Sequence, residues 1–259
     1  KQAHLLAKEL SERAGDTTRA IGALWGLICM SVVRSELQRT CVLSERLLEL
    51  TRDHLQVPFQ LAGHMELAGA AFGAGDLALA DQEFAIADAL YDPAQHAQHV
   101  ARSSFDQGVM LRSWWAHLCW HRGDNEHAVA LSNDALALSR SFGHPLTRAI
   151  ALAYAAILHQ FRRDTAACAE LSAETIALCN EHGLSYYRTW GQITAAWSED
   201  LDDSALTIAE SIRGLLAARA RRGLPYFHGV LAEVHLRRGE SVAAGLAIDA
   251  GLEMGRPSG

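Results

Sequence analysis

The chain has 259 residues, of which 49% are hydrophobic and 20% charged, and its formal charge at pH 7 is −7. This balance excludes an intrinsically disordered chain, and the acidic charge argues against a nucleic-acid-binding protein, which needs a basic surface to neutralise phosphates. No apolar run reaches the roughly 20 residues that span a bilayer. The odd number of cysteines, without CxxC spacing, is typical of the reducing cytoplasm. We therefore expect a folded cytoplasmic protein that binds neither nucleic acid nor a membrane.

Apolar residues recur with a helical period along the chain, and no segment alternates as a strand does. We predict helices over 1–13, 17–33, 36–53, 58–73, 77–91, 106–121, 124–141, 145–162, 165–182, 185–198, 203–221, 225–237 and 240–254. Glycines suited to a left-handed helix end and prolines suited to a first helical turn mark several borders: Gly143, Gly183, Gly223, Pro58, Pro145 and Pro225. The first residues read as the second helix of a hairpin, so we expect a fragment of a longer protein.

Short breaks between these helices recur about 40 residues apart, which is the signature of a repeat protein. The breaks are "RSELQRT", "AGDLALA", "RGDNEHA", "RRDTAAC", "LDDSALT" and "RGESVAA", and each contains a small residue that would let two helices approach closely: Thr40, Ala80, Ala128, Cys168, Thr207 and Ala244. This pattern predicts an all-α, tetratricopeptide-like helical-hairpin superhelix, an α-solenoid that forms a single array over 1–259. The alternative is a generic helical bundle, which shows the same helical period without the recurring break.

One segment, from Leu90 to Val109, interrupts the repeat. We expect an irregular insert at about 92–105, with a short helix over about 94–103. Its letters "YDPAQH" and "DQGV", together with "SFGHPLTRAIALAYAAILHQFRRD", "NEHGLSYYRTWGQITAAW" and "RARRGLPYFHGVLAEVHLRRGESVAAGLAIDAGLEM" further on, resemble one bacterial family. It is the C-terminal tetratricopeptide-like region of STAND-class signalling ATPases fused to class III adenylate or guanylate cyclase domains or to LuxR-type regulator domains.

The resemblance implies a non-catalytic sensor or scaffold arm that regulates an attached ATPase and its cyclase or transcription output. Its partner would be a protein or peptide, including its own ATPase domain, or a small effector. GxxxxGK[ST], GxGxxG and GxSxG are all absent, so we predict that the chain is not an enzyme and binds no cofactor. Two alternatives stay open: a self-association or intramolecular docking arm, with a homodimer as one form, and the receptor part of a peptide-responsive transcription regulator.

Two pairs of histidines are candidate metal ligands. His117 and His121 lie four residues apart on one predicted helix, with Cys119 between them, but a third ligand is missing. We therefore interpret them as lining a groove and predict no metal. His96 and His99 are interpreted as surface residues, although the place of His96 in the "YDP…H" element implies a structural role for it.

In such an array the first helices of successive hairpins line a concave surface. Counting from the small residue of each repeat predicts a ligand groove of Trp25, Met65, Phe72, His117, Trp120, His121, Gln160, Gln192, Tyr226 and Glu233. Aromatic and methionine anchors with a few polar groups suit an extended peptide or an amphipathic helix. The alternative is that Trp25, Trp120 and Tyr226 pack between hairpins. Trp114 and Trp115 are adjacent and cannot face one side, so one of them should enter the core.

Overall fold

Helices account for most of the residues that the structure describes, which are 17–52, 57–199 and 202–255. In this computed structural model there is no strand within those ranges. The α-helices are α1 (Thr17–Val33), α2 (Leu37–Thr51), α3 (Val57–Ala74), α4 (Leu77–Leu90), α5 (His96–Ser103), α6 (Gln107–His121), α7 (Asn125–Phe142), α8 (Pro145–Phe161), α9 (Thr165–His182), α10 (Ser185–Glu199), α11 (Ser204–Ala217), α12 (Leu224–Arg237) and α13 (Ser241–Gly255). The all-α prediction is therefore confirmed for the described residues, and the helix predicted over 1–13 lies outside them.

The described residues form six helical hairpins in succession: α1/α2, α3/α4, α6/α7, α8/α9, α10/α11 and α12/α13. The insert between the second and third hairpins contains a 3-10 turn (Pro93–Gln95) and α5, as the sequence predicted. Most helix borders lie within two residues of their predicted positions. The exception is α11, which ends at Ala217 because Arg219 adopts a left-handed conformation without a glycine to signal it.

Five of the hairpin turns share one backbone motif. Their left-handed residues are Ser35, Gly75, Gly123, Arg163 and Gly239. The next residue donates its backbone N–H to the carbonyl five positions back, as Asp124 does to Cys119 at 2.9 Å. This is the Schellman arrangement, which satisfies carbonyl groups left over at a helix end. At three turns an aspartate then caps the second helix through its side chain, namely Asp76, Asp124 and Asp164.

The small residues predicted at the hairpin crossings are buried in five of the six hairpins: Thr40, Ala80, Ala128, Cys168 and Ala244. The sixth prediction, Thr207, is wrong by one residue. The backbone of Asp203, which precedes α11, has a ψ of 2°, whereas the residues in the same place before α2, α4 and α9 have ψ values between 67° and 82°. The fully buried position is consequently Ile208, and Thr207 is only half-buried.

The chain divides into two compact units, and the boundary between them, after Leu131, falls within α7. Part of the first unit's core is a cluster of α1, α2 and α3 side chains that includes Ile21, Leu24 and Leu47. In the second unit Trp197 and Phe227 are among the largest fully buried side chains. No helix in the described part of the chain is long and apolar enough to cross a membrane. The organisation of 1–259 as one array stays a prediction.

Candidate functional site

Two of the predicted groove residues lie in the core of the first unit. Trp25 packs in the cluster with Ile21, Leu24 and Leu43, and the side chain of Met65 is completely inaccessible to solvent. The groove prediction placed both on an exposed surface, which their burial contradicts, and Trp25 instead packs between hairpins, as the alternative predicted. A first helix packs against the second helix of its own hairpin and against its neighbour, so two of its faces are apolar. The helical period alone does not show which side of such a helix faces solvent.

Four other groove residues lie at the ends of α3 and α6 in the first unit. The ring of Phe72 meets the ring of His121 edge-on, with 5.4 Å between centroids. His121 Nδ1 donates to the carbonyl oxygen of His117 at 2.7 Å. Trp120 is half-buried, whereas His117 is almost fully covered. First helices of successive hairpins therefore do share a face here, although His117 adds little surface to it.

The side chains of the "HLCWH" segment point to different neighbours. Cys119 Sγ lies 3.7 Å from His127 Nδ1 of α7, on the side away from the Phe72 contact of His121. Burial raises the pKa of Cys119 to about 11, so the group is a neutral thiol at pH 7. Within 17–52, 57–199 and 202–255, no group of three or more histidine, cysteine, aspartate or glutamate residues is placed to hold a metal ion.

The two adjacent tryptophans separate as expected. Trp114 is buried against α3, where a Cβ on Gly69 would overlap its ring. Trp115 is half-buried, and its Nε1 donates to Asp81 of α4 at 2.8 Å. Arg122 forms an ion pair with the same carboxylate. One tryptophan thus belongs to the core and the other ties α6 to α4.

Three predicted groove residues of the second unit meet in one hydrogen-bonded cluster. Tyr226 Oη donates to Gln160 Oε1 at 3.0 Å, and Gln160 Nε2 donates to Glu233 Oε2 at 3.3 Å. Tyr226 and Glu233 lie on α12 and Gln160 lies on α8, so the cluster joins the first helices of two hairpins. The sequence placed the three residues on one face, and the structure confirms that they are neighbours.

Two arginines that the sequence analysis missed complete this cluster. Arg163, in the turn after α8, and Arg237, at the end of α12, both donate to Glu233 Oε1, the second at 2.9 Å. Their guanidinium carbons lie 5.9 and 4.8 Å from the ring centroid of Trp197 on α10. Burial alone would raise the pKa of Glu233, but the hydrogen bonds from the two arginines outweigh it and lower that pKa. Glu233 is therefore a carboxylate at neutral pH. We call these six residues the inner-face cluster: Gln160, Arg163, Trp197, Tyr226, Glu233 and Arg237.

Gln192, the remaining predicted groove residue, lies elsewhere. It lines a shallow cavity of about 240 Å³ with Thr189 of α10 and with Thr207, Glu210 and Ser211 of α11. This cavity lies between the two helices of a single hairpin. The structure therefore does not bring Gln192 together with the inner-face cluster.

The insert holds a second polar cluster, centred on Asp106. This carboxylate has no solvent-exposed surface and accepts hydrogen bonds from Tyr91 Oη at 3.0 Å, His96 Nδ1 at 3.0 Å and His99 Nδ1 at 3.2 Å. The backbone N–H of Val109 is a fourth donor, at 3.0 Å. Burial would raise the pKa of Asp106, but its hydrogen bonds lower that pKa, and the bonds from the two histidines have the largest effect among them. Only 2% of His99 is exposed, so its interpretation as a surface residue is wrong, and the structural role expected for His96 is confirmed.

The letters of "YDP…H" and "DQGV" are explained by this Asp106 cluster. A Cβ on Gly108 would overlap the ring of Tyr91, so only glycine leaves room for that ring. The guanidinium of Arg112 lies 5.0 Å from the same ring and pairs with Asp88 at 2.8 Å. The motif therefore fastens the insert to the start of α6. The spacing of the motif could be recognised in the sequence. That its histidines bond to Asp106 could not be predicted from that spacing.

Compared with known proteins, the chain matches no protein-family model. It also matches no curated protein. The resemblance to the repeat region of STAND-class ATPases therefore stays a hypothesis that rests on the letters of the sequence.

Proposed function

We propose that this chain is a non-catalytic binding and scaffold module, which holds a protein, a peptide or a small effector on the first helices of its hairpins. In its parent protein it would regulate an attached ATPase and a cyclase or transcription output. The observation that carries this proposal is the inner-face cluster. It gathers side chains of α8, α10 and α12, all three of which are first helices of their hairpins. In repeat proteins the first helices of successive hairpins commonly form the recognition surface, which supports the proposal.

The chemistry of the cluster suits recognition. Tyrosine, tryptophan and arginine are the residues that most often dominate binding energy at protein interfaces. Tyr226 is half-buried, and 61% of the Arg163 side chain is exposed, so both can contact a bound molecule without unfolding of a helix. Core residues of the same types would offer no such access.

A ligand on this face would influence distant parts of the molecule through the helices that it touches. Residues 66 and 73 positions apart meet in the cluster, so a bound ligand would change the spacing of whole hairpins and not only of side chains. The arrangement of hairpins that binds the ligand more tightly becomes more populated, to an extent set by the difference in affinity. An attached switch domain would respond to that population.

A peptide-display selection on the purified chain tests this function. Peptides enriched on the unmodified chain should lose binding to Tyr226→Ala and keep it on Tyr186→Ala, a matched half-buried tyrosine of the same unit outside the cluster. Trp120→Ala tests the face of the first unit in the same way. Circular dichroism confirms that each variant is folded. Equal binding to the Tyr226→Ala and Tyr186→Ala variants would show that the face is not the binding surface.

A second candidate function, self-association or docking, is favoured by the exposed face of α13. Val242, Leu246 and Leu252 are 80%, 67% and 63% exposed on this one helix, which is unusual for large apolar side chains. Light scattering over a range of concentrations should then show a dimer that Val242→Glu with Leu246→Glu disrupts. Leu206→Glu, on the exposed surface of α11, is the control. A monomer at every concentration would eliminate self-association.

We also propose a reducing compartment, the cytoplasm. All five cysteines lie in the described part of the chain and are free thiols. Burial raises the pKa of Cys29 and of Cys168 to about 12, so neither forms the thiolate that a disulfide exchange requires. Such cysteines behave as small apolar core residues.

A further inference from the structure

Arg102, in the last turn of the insert helix α5, lies over a ring of another helix. Its guanidinium carbon is 4.7 Å from the ring centroid of Phe59 on α3. Nη1 of this guanidinium is buried, and in the part of the chain that the structure describes it has no hydrogen-bond partner and no carboxylate to pair with. Ser103 Oγ is likewise buried without a partner among the described residues. Two consecutive residues therefore bury donors that have no acceptor.

Other arginines that lie over aromatic rings in this protein do have a carboxylate partner. Arg112 lies 5.0 Å from the ring centroid of Tyr91 and pairs with Asp88 at 2.8 Å. The two arginines of the inner-face cluster lie over a tryptophan, and both donate to Glu233. Arg102 has the ring without the carboxylate.

The electrostatics of Arg102 differ accordingly. Burial lowers its pKa, and burial is the only cause of the change. In Arg122 the hydrogen bond and the charge of Asp81 raise the pKa instead. An arginine stays charged at neutral pH, and a charge that leaves water without a counter-ion costs free energy. Contact with an aromatic ring offsets only part of that cost. Arg102 therefore destabilises the free protein, and a bound anion would relieve the cost.

The surroundings of Arg102 are compatible with a ligand that comes from solvent. Arg102 and Phe59 are both half-buried, so part of each side chain stays accessible. A guanidinium carries one positive charge and presents two parallel N–H groups that fit a carboxylate as a fork. A carboxylate matches that charge, whereas a phosphate group carries roughly 1.5 to 2 negative charges at pH 7 and would leave an excess. The chemistry of this position therefore favours a carboxylate.

We propose that Arg102 binds a carboxylate of the ligand, at the place where the end of α5 meets the first turn of α3. This inference rests on the proposed function and adds the charge of the ligand and a point of contact in the first unit. It does not involve the inner-face cluster. The ligand would supply the counter-ion that the described residues lack.

The first test compares the stability of two matched variants without ligand. Arg102→Met keeps an apolar stem against Phe59 and removes the unpaired charge, so it should raise the melting temperature by about 2–4 °C. Arg112→Met also removes an arginine from an aromatic ring but breaks the pair with Asp88, so it should lower the melting temperature. A lower melting temperature in both variants would overturn the proposal, because Arg102 would then stabilise the protein without any ligand.

The second test uses sodium acetate as the probe, with sodium chloride at equal ionic strength as the reference. Acetate stabilises proteins in general by exclusion from their surface, so the measured quantity is the part of the gain that depends on Arg102. The gain in melting temperature should be about 1 °C larger in the unmodified chain than in Arg102→Met. Arg140→Met, on the exposed surface of α7, should keep the full gain.

Equal gains in the unmodified chain and in Arg102→Met would refute the carboxylate site. Sodium phosphate is the third probe. A gain that depends on Arg102 in phosphate but not in acetate would also overturn the assignment, because the site would then select the larger charge.

The outcomes separate this inference from the proposed function. Selected peptides that depend on Tyr226, with no acetate effect that depends on Arg102, would leave the binding function standing and refute the carboxylate site. A selection without peptides, combined with an acetate effect that depends on Arg102, would do the reverse.

Discussion

The two polar clusters of this protein share one arrangement but differ in solvent exposure and in the sequence distance between their residues. In each, one carboxylate accepts hydrogen bonds from several side chains. Asp106 is fully buried, and its side-chain donors are 7 to 15 residues away in the sequence. Glu233 is partly exposed, and two of its donors are 70 and 73 residues away. The first carboxylate fastens a local segment, whereas the second bridges separate hairpins in contact with solvent.

The comparison shows what burial does to a shared chemistry. A buried carboxylate cannot return to water, so losing its donors is strongly destabilising. An exposed ion pair exchanges easily with water and ions and contributes little to stability. The same composition therefore gives a structural clasp in one place and a candidate binding site in the other.

The largest effect is expected from Asp106→Ala. It leaves the Tyr91 hydroxyl and two imidazole N–H groups without their shared acceptor, and we expect a loss of about 3 kcal/mol in the free energy of unfolding. Urea denaturation measures it. Asp92→Ala, which removes an exposed cap of the 3-10 turn, should lose about 1 kcal/mol or less. Equal losses in the two variants would contradict the assignment of Asp106 as the clasp.

Gly108→Ala should destabilise the first unit by about 2 kcal/mol, because the new Cβ overlaps the ring of Tyr91 in a packed cluster. The matched substitution is Gly214→Ala in α11, where such a Cβ would meet no described atom within 4 Å apart from the adjacent residues and backbone of its own helix. Since alanine favours a helix over glycine, that variant should gain about 0.5–1 kcal/mol. Thermal unfolding measures both changes in stability. Changes of the same sign in the two variants would show that the ring of Tyr91 does not need the space beside Gly108.

A third polar group, His228, should make the stability of the folded protein depend on pH. It is buried between α12 and α13, and neither ring nitrogen has a hydrogen-bond partner in the part of the chain that the structure describes. Burial lowers its pKa, so the unfolded chain takes up a proton that the folded chain resists. Above the ordinary histidine pKa of about 6.5 the protein therefore has its full stability with respect to His228. As the pH falls from there towards the lower pKa of the folded state, the free energy of unfolding decreases.

Urea midpoints at pH 5.5 and pH 7.5 measure this dependence. His228→Leu should reduce the difference between the two midpoints, whereas His182→Gln, at an exposed position, should leave it unchanged. An unchanged difference in His228→Leu would indicate that other groups cause the pH dependence.

The smallest effect is expected from Arg163→Gly. It removes an exposed ion pair worth about 0–1 kcal/mol and relieves a left-handed conformation that costs about 1 kcal/mol in a residue with a Cβ. The net change in unfolding free energy should stay within about 0.5 kcal/mol. Arg163→Ala, which loses the pair and keeps the backbone conformation, should be the less stable variant. A large loss in Arg163→Gly would mean that the pair is a structural clasp like that of Asp106.

The sequence predicted the hairpins because their borders are chemically distinct. Glycine, aspartate and proline fix the turns locally, so a break such as "RGD" is legible without knowledge of the fold. The end of α11 was missed because "AARARR" contains only good helix formers, yet Arg219 turns left-handed. The end of α11 therefore has no local signal in the sequence.

The candidate sites were only partly predictable, and the reason differs between them. Gln160, Tyr226 and Glu233 were placed on one face by helical spacing, but their contact depends on the angles between hairpins, which no local pattern encodes. Trp25 and Met65 were misplaced because first helices have two apolar faces. Nothing in the sequence identifies Asp106 as buried, since an aspartate before a helix is usually an exposed cap.

The Asp106 cluster also has a consequence for the order of folding. The hydroxyl of Tyr91 and the carboxylate of Asp106 are separated by 15 residues, so bringing them together closes a short loop. The entropy lost on closing a loop grows with its length, and loops of about ten residues close within roughly 10–100 ns. We expect the insert to form its contacts early and to bring the ends of α4 and α6 together before more distant helices meet. The irregular insert would then act as a nucleus for folding.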